Sequence, residues 1–179
     1  MSSEKSPKLY GITQDPETKD YILVMQYASG GDLRQYLQDN FVEIDWYQKI
    51  SMLLEIAKGL KAIHDQGYIH RDFHSGNVLL DFSKSFEEEE ENEKSKSCDT
   101  QKYDILISDL GLCSELSKSP HDKKLYGVIP YIAPELLPNN NGGNEDEKEE
   151  ICTKASDIYS FAMIMWGLTS STTFCSFCS

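Results

Sequence analysis

The chain has 179 residues, of which 39 % are hydrophobic, and a formal net charge of −13. That length suits one domain with a buried core, and the apolar content argues against a wholly disordered chain. The acidity excludes nucleic acid as an expected ligand. Two short runs, residues 87–96 and 145–150, each carry a net −4. Such runs repel themselves and stay solvated, so they read as loops and not as a binding face.

From the N-terminus, residues 9–12 and 21–25 are short apolar runs rich in β-formers. The stretch 13–20 between them (TQDPETKD) has turn chemistry, which predicts a β-hairpin. The second strand breaks at Ser29-Gly30-Gly31, and Asp32 is placed to cap a short helix over residues 33–38. Asp45 opens a longer helix. Trp46, Ile50, Leu53, Ala57, Leu60 and Ile63 recur at intervals of three and four, predicting one buried apolar stripe, with Gly67 as the stop.

Residues 68–69, 78–81 and 105–107 read as short strands flanking loops, with an acidic insertion over 83–103. A second flexible loop is expected at 139–143 with its acidic continuation. Residues 155–169 are strongly apolar at helical length and predict a buried core helix. The last ten residues, 170–179, show no ordered element. Five scattered cysteines make a poor disulfide framework, and Cys175 and Cys178 have no second pair nearby to complete a zinc site. The N-terminus lacks a signal-peptide core, and the longest apolar stretch is too short to span a bilayer. A soluble, intracellular (cytoplasmic) protein with no membrane partner is the expectation.

Three motifs occur in a fixed order: His70-Arg71-Asp72 with Asn77 five positions after the aspartate, Asp109-Leu110-Gly111, and Ala133-Pro134-Glu135. Together they resemble the protein kinase set His-Arg-Asp…Asn, Asp-Phe-Gly and Ala-Pro-Glu. The resemblance runs to about Leu168 and is nearer the tyrosine-kinase-like branch, with serine/threonine preference favoured. It implies an α+β, protein-kinase-like fold over residues 1–169. Residues 1–29 would supply the last small-lobe strands and the hinge, and 30–169 the helical large lobe up to its F helix. The small lobe would be largely absent.

The resemblance also implies ATP and Mg²⁺ as cofactors, and a protein hydroxyl as substrate. Asp72 would orient that hydroxyl and take its proton; a carboxylate suits the task because it is acceptor-only when ionised. Asn77 and Asp109 would be the Mg²⁺ ligands. His74 stands where serine/threonine kinases usually carry a lysine against the γ-phosphate, and marks the tyrosine-kinase-like subtype. Gln26, Tyr27 and Ala28 would form the hinge against adenine, with Met25 guarding the back of the pocket. Asp32 would meet the ribose, and Leu79 would lie under the base.

Arg71 is the usual reader of a phosphorylated activation loop, here with Ser114, Ser117, Ser119 and Tyr126 as candidate acceptors. Val128 replaces a threonine that often bonds the catalytic aspartate. His70 and Leu110 would belong to the stacked apolar spine, and Asp157 would anchor the catalytic-loop backbone. Glu135 has no evident arginine partner and would be a buried, unpaired carboxylate. The sequence has no Gly-rich loop, strand-borne lysine or partner glutamate, so little phosphotransfer is expected from this chain alone. A non-catalytic kinase-like binding or regulatory module is the alternative.

Overall fold

A computed structural model describes residues 5–83, 103–115, 127–137 and 152–170. The chain opens with a hairpin of β1 (Leu9–Gln14) and β2 (Tyr21–Met25), antiparallel with Leu9 opposite Met25 and a bulge between Leu9 and Gly11. Asp15 builds the turn: its Oδ1 accepts from the backbone N–H groups of Glu17 (2.7 Å) and Thr18 (3.1 Å). That side-chain-to-backbone bonding is why an aspartate begins such turns. Lys19 completes the reversal at φ +65°.

Asp32 caps α1 (Leu33–Asn40), its Oδ1 accepting from Gln35 N at 2.9 Å. The helix runs two residues past the expected end. Asp45 caps α2 (Trp46–Asp65) through a reciprocal capping box with Gln48, and Gly67 at φ +81° follows its C-terminus.

The buried face of α2 differs from the expected stripe. Met52, Ile56, Gly59, Leu60 and Ile63 face the core, whereas Trp46 and Ile50 are each 62 % exposed. Leu60 and Ile63 belong to both sets, so the periodicity was right and the facing of the first two turns was not. Lys49, on the inward side there, lays its Nζ 3.7 Å from the centroid of the Phe41 ring. A cation–π contact holds the buried amine where an aliphatic residue was expected.

β3 (Tyr68–Ile69) pairs with β6 (Ser114–Glu115), and β4 (Val78–Asp81) with β5 (Asp104–Ile107), both antiparallel. The core joins α1, α2, β4, β5 and the inner face of the last helix, around Leu33, Met52, Ile56, Phe73, Leu80, Ile107, Ile164 and Leu168. A second segment lies along the other side of β4. Gly30 N donates to Leu80 O (2.8 Å), Leu80 N donates to Gly31 O (2.9 Å), and Asp32 bridges Leu79. Gly30 is required there because a Cβ would lie 2.9 Å from Leu80 Cβ and closer still to the Phe82 ring.

The last helix, α3 (Lys154–Thr169), is not the uniformly buried helix that its apolar sequence predicts. Its inward face is Ser156, Asp157, Ser160, Ile164 and Leu168, while Ile158, Met165 and Trp166 are exposed. Asp157 and Ser160 face inward because they bond loop segments described below, and Ser156 closes the helix's own N-terminal cap with Thr153. Glu135 also departs from expectation, being exposed, so no buried charge arises. The expected acidic insertion (all but its ends), the 139–143 loop, Cys175, Cys178 and the tail after 170 lie outside the described residues.

Candidate active site

The loop between β3 and β4 carries His70 to Asn77 and is held from below by α3. Asp157, 2 % exposed, accepts from His70 N (2.8 Å) and His64 Nε2 (2.7 Å) through Oδ2, and from Arg71 N (3.1 Å) through Oδ1. Those bonds hold Arg71 at φ +72°, a region non-glycine residues seldom occupy. The anchoring expected of Asp157 is thus present as geometry.

His70 is fully buried and joins the two halves of the site. Its Nε2–H donates to Ser108 O (3.1 Å), so its Nδ1 is free to receive Asp72 N (3.4 Å). Burial is the main cause holding its pKa below the ordinary imidazole value, which favours the neutral ring this arrangement needs. Ser108 N donates to Asn77 O (2.9 Å), and Ser108 Oγ bonds the same oxygen (3.1 Å). Asp109 therefore leaves β5 beside Asn77. It is exposed and sits at φ +56°, ψ +54°. Two non-glycine residues in strained backbone, Arg71 and Asp109, thus flank one site.

Asn77 spends its amide nitrogen on the loop, donating to Asp72 O (2.9 Å). Its side-chain oxygen is the group left for a cation. Asp72 Oδ1 is buried and, among the described residues, is the one buried side-chain oxygen or nitrogen with no hydrogen-bond partner. His74 Nε2 lies 3.5 Å from it, too long for a good bond yet close enough to matter electrostatically. The His74 imidazole, ahead of all other causes, holds the Asp72 carboxyl below the usual carboxylate range. Gly76 N donates to His74 Nδ1 (3.0 Å), which leaves Nε2 as the ring nitrogen that can carry a proton toward Asp72.

The segment 127–137 closes over this loop. Tyr131 OH pairs with Ser75 Oγ (2.9 Å), its ring lies 5.9 Å from that of His74, and its carbonyl receives Ser160 Oγ (2.7 Å). A pocket of about 20 Å³ opens beside Asp72, lined in part by Arg71, Gly127, Val128, Tyr131 and Ser160. That is room for a water. None of Gln26, Ala28, Asp32 and Leu79 lines it.

Those four residues gather instead along β4. Asp32 and Leu79 are bridged, Ala28 O accepts from Gly31 N (3.2 Å), and Gln26 Nε2 donates to Asp81 Oδ2 (2.7 Å). Asp32 already spends one carboxylate oxygen on its helix cap. Met25 is 44 % and Tyr27 84 % exposed, while Ala28 is buried. Ser114 pairs with Ile69 through the backbone; Ser117, Ser119 and Tyr126 lie outside the described residues.

His70, Asp72 and Asn77 on one loop, anchored by Asp157 of α3 and joined through Ser108 to the segment that carries Asp109, form a single connected constellation. A family profile for protein tyrosine and serine/threonine kinases matches residues 1–175. The chain belongs to the protein kinase family. Among kinase relatives, it is 36 % identical over 154 residues to the dual specificity protein kinase zakA of Dictyostelium discoideum, covering 84 % of this chain and 17 % of that protein. It is 38 % identical over 164 residues to zak2, a dual specificity protein kinase of the same organism, covering 89 % and 24 %. A putative serine/threonine-protein kinase/receptor, R831, of Acanthamoeba polyphaga mimivirus is 31 % identical over 173 residues, covering 94 % and 9 %. The chain thus spans less than a quarter of the length of these kinases.

The α+β architecture, with its hairpin preceding a helical body, is that of a partial kinase fold. Among the described residues, no helix is long and apolar enough to cross a membrane. Sequence reading missed Ser75, Ser108 and Asp81 as site-shaping residues. Their signal is weak because each acts through a hydrogen bond to a segment 31–56 residues away.

Proposed function

We propose that this chain is the segment of a kinase catalytic domain that transfers the ATP γ-phosphoryl group to a protein hydroxyl, with serine/threonine favoured. The buried, unpartnered Asp72 Oδ1 supports this reading most strongly. A buried acceptor left empty costs stability and is tolerated where a substrate proton is to be received. The lowered pKa keeps that carboxylate ionised at neutral pH, ready to accept.

The residues present fit the cofactors of the family. Asn77 and Asp109 would hold Mg²⁺, an oxygen-seeking ion that when bound neutralises phosphate charge. Gln26 and Ala28 would meet adenine through the backbone, with Asp32 near the ribose and Leu79 under the base. Asp72 aligns the acceptor hydroxyl and takes its proton as that oxygen attacks phosphorus. His74 keeps its Nε2–H on the Asp72 side of the cleft, where it steadies the carboxylate and can donate to a phosphoryl oxygen. Residues 1–29 act as the strands and hinge before the large lobe, and 30–169 as that lobe through α3.

The test is phosphotransfer from labelled Mg-ATP to a protein substrate by the longest natural protein carrying this segment. Asp72→Asn is expected to lower kcat by at least about 10²-fold with ATP binding retained. Undiminished turnover in that variant would overturn the assignment.

A further inference from the structure

Among the described residues, the segments that flank the hairpin are bonded to the body on both sides. At its front, Ile107 N donates to Lys5 O (2.8 Å) and Lys5 Nζ pairs with Glu55 (2.6 Å). At its back stands Gln26, directly after β2. Its uncharged amide is satisfied at both ends: Oε1 accepts from Lys8 N (3.2 Å), and Nε2 donates to Asp81 Oδ2 (2.7 Å). Its backbone N–H donates to Lys8 O (2.7 Å).

Asp81 closes β4 and is 2 % exposed. Its Oδ1 accepts from Ser83 N (3.0 Å) and Ser29 Oγ (3.3 Å), and Ser29 Oγ in turn receives Phe82 N (3.0 Å). One buried carboxylate therefore holds both ends of residues 26–29 against β4. Among the described residues, no hydrogen bond of Leu9–Met25 reaches the helical body.

We propose that Gln26 and Asp81 form a polar latch that fixes the adenine-facing backbone of residues 26–28, making both of them nucleotide-positioning residues. The proposal rests on the reading of that segment as the hinge. The choice of residue at position 26 follows from position 81. A glutamate there would set a second carboxylate within hydrogen-bond distance of a buried one, and two such charges cannot both persist. An apolar side chain would leave Asp81 Oδ2 without its donor. An amide donates to Asp81 while accepting from Lys8 with no change of protonation, which a carboxyl of that length could do only by taking up a proton. If charge complementarity is the cause, exchanging the two functional groups restores the latch, because an amide at 81 can donate toward 26 while its oxygen still accepts from Ser29 and Ser83.

The experiment compares the full chain with Gln26→Glu, Asp81→Asn and the double variant, each confirmed folded by circular dichroism. Amide hydrogen exchange is read at Gln26, Gly30 and Phe82, followed by ATP titration monitored at the Tyr27 and Ala28 amides. Gln26→Glu is expected to speed exchange at those positions at least about tenfold and to weaken ATP binding about as much. The double variant is expected to recover to within about threefold of the natural chain. Exchange in Gln26→Glu equal to the natural chain, or a double variant no better than Gln26→Glu, would overturn the latch. Exchange that follows expectation while saturating ATP leaves Tyr27 and Ala28 unshifted would instead overturn the hinge reading on which the latch's nucleotide role rests.

Discussion

Asp157 is the residue whose removal the structure makes most consequential. It is buried on α3 and receives three hydrogen bonds, from His70 N, Arg71 N and His64 Nε2. Asp157→Ala strands all three donors. A bond to a charged acceptor contributes about 1.5–3 kcal/mol, and water entering the vacated space offsets part of the loss. Arg71, no longer held at φ +72°, also relaxes, returning roughly 1 kcal/mol of strain. The expected net cost is about 3–5 kcal/mol, a large share of the roughly 5–15 kcal/mol that stabilises an ordinary domain. Asp157→Asn retains one acceptor oxygen but turns an NH₂ toward a donor, and is expected to cost about 2 kcal/mol. Urea denaturation followed by far-ultraviolet circular dichroism measures both. An alanine variant within about 1 kcal/mol of the natural chain, or an asparagine variant less stable than it, would refute the three-donor account.

Three further outcomes are expected. Tyr131→Phe and Ser75→Ala should each cost about 1 kcal/mol, and together scarcely more than either alone, because both remove one shared bond; denaturation of the double-mutant cycle checks this. Because Asp72 has a depressed folded-state pKa, its stabilising contribution is present above the unfolded value near 3.9 and is lost as pH falls through the lower folded one. His74→Ala should therefore shrink the stability lost between about pH 5 and 2, read from urea midpoints across that range. Cys113, its thiol pushed up to about 12 chiefly by burial, should hold only about one part in 10⁴ as thiolate at pH 8. Site-resolved mass spectrometry should find it alkylated far more slowly in the folded chain than in urea.

Local chemistry made much of this fold legible. Asp32 and Asp45 announce helix starts, Gly67 a stop, and the turn residues of 13–20 a hairpin, since each acts on backbone a few positions away. Motif order likewise singled out Asp72, Asn77 and Asp109, and the resemblance Asp157; hydrogen bonds link Asp72, Asn77 and Asp157 through the loop, and Asp109 follows Ser108, which bonds Asn77. Facing was harder to read. Trp46 and Ile50 fit the apolar period of α2 yet lie outside, because the first turn rotates toward Phe41 and buries Lys49 instead. For α3, periodicity alone cannot tell which side of an all-apolar helix turns inward. The answer came from Asp157 and Ser160, whose partners in the loops are distant in sequence. Glu135 was judged by a missing partner, whereas its exposure removes the need for one.

β4 has bonded neighbours along both sides, β5 on one and residues 30–32 on the other. Asn77 leads into it, Leu79 lies within it and Asp81 ends it. Only four residues long, it is too short to bend in one half and stay straight in the other. If the proposed function holds, nucleotide affinity and metal affinity in such a site are not independent traits. A substitution at Val78 or Leu80 made to alter one should drag the other with it, so selection for a new nucleotide preference would have to work on side chains around this strand and leave its path alone.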